Sequence, residues 1–283
     1  MQARKATFAG SWYPGRASAC EKEIADFLEG SEKKNADAEA WVGGIVPHAG
    51  WYYSGKIACN VIHNLVSKDP PDVIVVFGMH LHAGSPAYIM TEGAWETPFG
   101  NLPIASQMAR KLTQVFDFEI ETSTRYHQDN TIELQLPFIK YFFKDVKILP
   151  IGVPPTRTSL EIGQAVARLS AELGLPTYVI GSTDLTHYGM NYGFVPQGTG
   201  SKAVEWVRNK NDRRVIEAML TMQPEAVLTE ALENSNACCA GAAATALAAG
   251  MALGSEKAEM LAYANSYDKS PGDSFVGYVG ILF

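Results

Sequence analysis

Imidazole and thiol side chains in this chain stand where apolar runs end. The run Gly43-Gly44-Ile45-Val46-Pro47 leads into His48. The run over residues 73–79 leads into His80-Leu81-His82, and the run over residues 178–186 leads into His187. Neutral imidazole is the commonest metal ligand and carries protons near neutral pH. Cys238 and Cys239 open an Ala-rich stretch. A thiol at a helix N-terminus is favoured as thiolate, which is both a nucleophile and a soft metal ligand. The plainer alternative is two small buried core residues. Asp184, three residues before His187, can orient a histidine through its ring N–H, act as an acid or base, or cap a turn in Ser182-Thr183-Asp184. Glu133 either points into the same cleft or decorates the first turn of its helix. His63, in mid-helix, reads as structural, and His127 reads equally as a site-lining or a surface residue.

These groups meet only if the apolar runs are strands of one sheet. Residues 41–46, 72–77, 146–151 and 177–180 are short, largely apolar and closed by Pro, Gly or polar residues, the pattern of buried strands. Helical spacing alternates with them at 17–28, 55–65, 103–116, 131–143, 159–173, 213–222, 224–232 and 240–253. Pro137 is placed to kink or split the fourth of these. Residues 260–264 and 275–282 read as late strands, and 31–40 and 189–200 as loops. Strands alternating with helices predict an α/β fold, a single domain over 1–283 with a central mixed, largely parallel sheet flanked by helices. In such sheets ligands bind outside the carboxyl ends of the strands, where the histidines lie.

Composition sets outer bounds. With 283 residues, 47% hydrophobic and 19% charged, the chain can bury a full core. A net charge of −7 argues against general nucleic-acid binding. The N-terminal segment lacks an apolar core of signal-peptide length, and the Ala- and Gly-rich stretch 237–253 is too short and too weakly apolar to span a membrane well. The cysteines therefore read as reduced thiols of a cytoplasmic protein.

Several motifs together resemble one family. They are Ala6-Thr7-Phe8-Ala9-Gly10-Ser11-Trp12-Tyr13-Pro14; Pro47-His48-Ala49-Gly50 with Tyr53 and Gly55; Thr97-Pro98; Ile132-Glu133 with Leu136-Pro137; the run from Ser182 to Gly189; and a cysteine before an Ala-rich helix. In this order they resemble Memo family proteins, also called AmmeMemoRadiSam system protein B. The resemblance implies a fold similar to the class III extradiol dioxygenases (LigB-like), which are non-haem iron enzymes. It also implies a metal site of His48, His82 and Cys239, with Asp184 and His187 lining the pocket in catalytic roles. The chain departs from the family pattern at three points. Leu81 separates His80 from His82, so either histidine can be the ligand. Cys238 is an extra thiol and an alternative to Cys239. Asp129-Asn130-Thr131-Ile132-Glu133 lacks the histidine that the family carries there.

Two imidazoles and a thiolate leave coordination positions open and suit iron first, with copper or zinc as alternatives. The implied function is metal-dependent, dioxygenase-like redox chemistry on a small molecule. Two other functions use the same pocket. One is a binding module for a peptide or a radical S-adenosylmethionine partner protein, rimmed by Trp12, Trp51, Tyr52 and Tyr53. The other is a zinc-dependent hydrolase.

Overall fold

A computed structural model describes residues 2–31 and 41–283. The loop read over 31–40 lies, apart from Ser31, outside the described residues. In chain order the first elements are β1 (Ala3–Arg4), α1 (Ala17–Leu28), β2 (Gly43–Val46), α2 (Lys56–Asn64), β3 (Val73–Gly78), β4 (Ala87–Met90), β5 (Ala94–Trp95) and β6 (Leu102–Pro103). There follow α3 (Ser106–Leu112), β7 (Phe118–Glu121), α4 (Asn130–Glu133), α5 (Leu136–Phe142), β8 (Lys147–Gly152), α6 (Arg157–Leu173), β9 (Thr177–Ser182) and β10 (His187–Tyr188). The last are α7 (Ser201–Trp206), α8 (Asp212–Leu220), α9 (Pro224–Asn234), α10 (Ala240–Ala252), β11 (Glu259–Asn265) and β12 (Phe275–Leu282).

Nine of these strands join one mixed sheet in the order β10-β12-β2-β9-β3-β8-β4-β7, with β11 paired to β12. Its centre, β2, β9, β3 and β8, is parallel. Antiparallel pairs flank the centre on both sides, β12 on β2 and β4 on β8. The remaining short strands β1, β5 and β6 form a small separate sheet. Alternation along β3 shows why its sequence is apolar throughout. Val73, Val75 and Phe77 join the core under α3, α6, α8, α9 and α10. Ile74 and Val76 join the core under α1, α2 and α5. Both faces are covered, so neither register of the strand can be polar.

The Ala-rich segment is helix α10, buried from Ala240 to Gly250, and its small side chains let it lie close to the sheet. A Cβ on Gly181 of β9 would stand 2.8 Å from the Ala242 carbonyl oxygen and 2.8 Å from the Ala246 Cβ. On the other side, a Cβ on Gly163 of α6 would stand 2.5 Å from the Thr245 carbonyl oxygen. Among the described residues no helix is long and apolar enough to cross a membrane.

Some boundaries differ from the sequence reading for local reasons. Helix α3 starts at Ser106 because Leu102 and Pro103 pair with β5 instead. The helix expected over 131–143 splits into α4 and α5, with Pro137 in the first turn of α5, where its missing N–H costs nothing. Strands β4 and β7 went unread because they are short, and β7 is largely half-exposed.

The close seat of α10 predicts that Gly181→Ala lowers stability by about 1–3 kcal/mol through overpacking. The urea midpoint should fall at constant slope; an unchanged midpoint would mean that α10 can retreat without loss.

Candidate metal centre

Three adjacent parallel strands, β2, β9 and β3, end on the same edge of the sheet, and each delivers part of the site. The chain leaves β2 through Pro47 into His48, which is buried. The amide of His48 donates to Asp184 Oδ1 (2.7 Å), and its carbonyl accepts from Asn130 Nδ2 (2.8 Å). The ring Nδ1 lies 3.1 Å from Ser182 Oγ. That hydroxyl donates its only proton to the Thr131 carbonyl (2.7 Å). Nδ1 must therefore be the donor to Ser182, which leaves Nε2 of neutral His48 as a lone-pair donor. Nε2 points at Cys238 Sγ, 3.2 Å away.

After β3 the backbone turns through Met79, whose φ of 73° is unusual for a side chain of that size. The Met79 amide donates to Thr131 Oγ1 (2.7 Å), and a Cβ at Gly78 would overlap that same oxygen. The turn brings His80 beside His48, with ring centroids 5.0 Å apart. Asp129 Oδ2 accepts both the His80 amide (3.1 Å) and its ring Nδ1 (3.0 Å). A carboxylate on one imidazole nitrogen orients the other toward a metal and raises its basicity.

The thiols come from the start of α10, where Cys239 is the N-cap. The Cys238 amide donates to the Asp184 carbonyl (3.1 Å) and the Cys239 amide to Thr183 Oγ1 (3.1 Å). One donor atom each from His48, His80, Cys238 and Cys239 lies within 4.8 Å of all the others.

The electrostatics favour charge in this cluster. Burial opposes a Cys238 thiolate, but the hydrogen bond from the Cys239 thiol and the two imidazoles outweigh it, holding the Cys238 thiol well below its ordinary range. Cys239 moves the other way, through burial and through the neighbouring Cys238 thiolate, and keeps its proton. Burial also opposes charge on His80, yet the bond to Asp129 and the nearby Cys238 raise it to about 10. His48 rises too, because Asp184 and Cys238 overcome its burial. Burial pushes Asp184 up, against the pull of His48.

Above the cluster opens a cleft of about 580 Å³, lined by His48, His80, Asn130, Asp184 and His187 among others. His187 Nδ1 donates to the Leu185 carbonyl (3.1 Å), which fixes its tautomer and frees Nε2. The loop carrying Asp184 and His187 is pinned from below, where buried Asp212 accepts the Thr186 amide (3.0 Å).

The sequence reading and the structure differ in particular places. His82 stands apart from the cluster: it is exposed, and its Nδ1 accepts the Gly84 amide (3.2 Å) in a surface turn. The turn at Met79 presents His80 instead. Cys239 belongs to the cluster, but Cys238 makes the contact with His48. Asp184 holds His48 by its backbone amide; the ring N–H that a carboxylate was expected to take goes to Ser182. Glu133 faces away from the cleft and binds the N-terminal segment, accepting from the Phe8 amide (2.7 Å), Thr7 (2.9 Å) and Tyr13 (3.1 Å). Trp51 is a core residue stacked on Phe138, whereas Trp12, Tyr52 and Tyr53 do reach the cleft. Asp129, Thr131 and Ser182 were not foreseen as orienting groups. Their only trace in the sequence is a cap-like Asp-Asn-Thr and a hydroxyl at the last position of a strand.

Fold and site together define an α/β protein with a His/His/Cys/Cys cluster able to hold a metal at the carboxyl edge of its sheet. The family model described as Memo-like protein matches residues 4–282, and the chain belongs to the Memo family. A MEMO1 family protein of Pyrococcus furiosus is 32% identical over 288 residues, covering 99% of this chain and 98% of the relative. One from Methanococcoides burtonii is 34% identical, with 99% of each chain covered. The solved structure of the uncharacterized protein JW3007 from Escherichia coli K12 shares the fold, with a TM-score of 0.52 at 12% identity over 85% of this chain and 98% of that one.

In metal-free protein, His80 is expected to titrate near pH 10, and Asp129→Asn should return it toward the ordinary value of about 6.5. Because the folded value is the higher one, this contact stabilises the fold fully below about pH 6.5 and is lost as pH rises through about 10. Imidazole NMR titration of both proteins checks the shift. Identical curves would remove Asp129 as the orienting group.

Proposed function

We propose that this Memo family protein is a non-haem metal-dependent oxidoreductase in which His48, His80 and Cys238 hold iron, with copper as the alternative, and a small molecule is oxidised in the cleft. The observation that carries this reading is the donor cluster at the floor of an open cleft, with two fixed imidazole tautomers aimed at one sulfur. When bound, such a metal supplies Lewis acidity and a redox couple.

The chain's own residues account for the rest. Ser182 and Asp129 hold the proton on Nδ1 of each ligand imidazole, so that the opposite nitrogen is the donor atom. With Cys238 as the thiolate, the proton of the pair stays on Cys239, whose sulfur lies 3.7 Å away and moderates the donor strength of Cys238. His187 stands on the cleft wall with Nε2 free to take or return a proton, and the buried carboxyl of Asp184 lies beside it. All four cysteines are free, which suits a reducing compartment such as the cytoplasm.

One feature favours a second use of the cleft. Trp12, Tyr52 and Tyr192 on its rim are 42%, 64% and 47% exposed. Exposed aromatic residues suit capture of a peptide segment, including one from a radical S-adenosylmethionine partner protein. A zinc-dependent hydrolase would use the same donors for water activation.

Metal content after anaerobic, chelator-free purification separates these readings. We expect near-stoichiometric iron or copper in the wild type and in His82→Ala. His80→Ala and Cys238→Ser should lose occupancy by about tenfold or more, since even partners of ligands cost that much. Zinc alone would shift the assignment to the hydrolase. A folded, metal-free wild type would leave the peptide-binding cleft. Loss of metal in His82→Ala but not in His80→Ala would overturn the ligand assignment.

A further inference from the structure

The cluster holds one more sulfur than a His/His/Cys site needs. Neighbouring side chains diverge along extended backbone, yet the sulfurs of Cys238 and Cys239 lie only 3.7 Å apart. The cause is local. Cys239 is the N-cap of α10, with φ −124° and ψ 55°, and both cysteine amides are tied to the strand β9 side, one to the Asp184 carbonyl and one to Thr183 Oγ1. The two residues also differ in access: Cys238 is partly exposed and Cys239 is buried.

We propose that Cys238 and Cys239 form a hydroperoxide-reactive dithiol that closes to a vicinal disulfide. Cys238 sulfur attacks the terminal oxygen of the hydroperoxide. The O–O bond breaks, the alcohol (or water, from hydrogen peroxide) leaves with a proton, and Cys238 carries a sulfenic acid. Cys239 sulfur then attacks Cys238 sulfur, the S–O bond breaks, and water leaves with the second thiol proton. In sum two thiols lose two electrons and two protons, and one hydroperoxide is reduced to an alcohol and water. Cys238, the partly exposed residue of the pair, meets the oxidant and buried Cys239 resolves it, an order set by their accessibility.

Geometry makes this disulfide a labile one. Adjacent Cα atoms are about 3.8 Å apart, closer than the usual span of about 4.4–6.8 Å for a disulfide. Strained bonds are the easily reduced, regulatory kind. The two other cysteines are internal controls. Cys20 and Cys59 are fully buried, and burial pushes each thiol up to about 12, so neither competes for the oxidant. Where Cys238 holds the metal, as in the function proposed above, closure also withdraws that ligand and couples metal occupancy to peroxide exposure. The thiol chemistry itself does not depend on that reading.

The test uses full-length, chelator-treated protein exposed to tert-butyl hydroperoxide, followed by alkylation and peptide mass spectrometry. In the wild type, the peptide containing both cysteines should lose the mass of two hydrogens, resist alkylation, and regain both thiols with dithiothreitol. Cys239→Ser should stop at a sulfenic acid on residue 238 that dimedone traps, and Cys238→Ser should react at least about tenfold more slowly, as expected once the partly exposed cysteine is gone. Wild-type protein whose two thiols stay alkylatable, or which runs on to a sulfinic acid at Cys238 without a disulfide, would overturn the proposal. The mapping is done on wild-type protein, so a variant that fails to fold does not weaken it. Metal-free thiol chemistry can succeed while the metal reading fails, and the reverse, so the two are judged separately.

Discussion

The close seating of α10 on β9 places both thiols. Gly181 gives up its side chain, and Ala242, Ala243 and Ala246 keep theirs small, so the helix axis approaches the strand more nearly than a Leu-faced helix could. The N-terminus of α10 then projects to the carboxyl edge of the sheet, level with the ends of β2 and β3. That is where His48 and His80 emerge. Residues 190 positions apart in the chain come within 3.2 Å because packing, not local sequence, sets the height of the helix.

A second constraint acts from the opposite side. The short segment 129–135 threads past both histidine loops and satisfies their polar groups. Thr131 takes the Met79 amide and gives its carbonyl to Ser182; Gln135 Nε2 donates to the Pro47 carbonyl (3.0 Å). Asn130 donates to the His48 carbonyl. Each of the two cluster imidazoles keeps a single orientation because its Nδ1 has one acceptor and that acceptor's other bonds are already committed.

Much of this was legible from residue types and spacing. Apolar runs ending at His48, His80 and His187 mark strands whose carboxyl ends share an edge, and the sheet order β2-β9-β3 makes those three strands neighbours. The Ala-rich run after Cys239 marks a helix that must be buried. Other parts had no local signal. The choice of His80 over His82 depends on one backbone angle at Met79, a residue type that does not advertise positive φ. The choice of Cys238 as the sulfur nearest His48 depends on the N-cap bend at Cys239. Glu133 read either as a cleft residue or as decoration of a first helical turn, and its helix turns the carboxylate toward Phe8 and Tyr13. Strands as short as β4 and the edge strand β7 carry too few residues for alternation to show.

Charge balance makes the donor set compatible with a divalent cation. The folded environment favours protons on both His48 and His80, while Cys238 is held as thiolate and Asp129 well below the usual carboxylate range. Two imidazolium charges then face one thiolate and the carboxylates of Asp129 and Asp184. Replacing the two imidazolium protons that face the sulfur with one divalent cation leaves the net charge unchanged. The same hydrogen bonds serve both states, since Ser182 and Asp129 hold Nδ1–H in each. A site balanced in this way needs no rearrangement of its surrounding shell to exchange protons for metal, and its affinity must fall as pH drops, because protons and metal compete for the same two nitrogens.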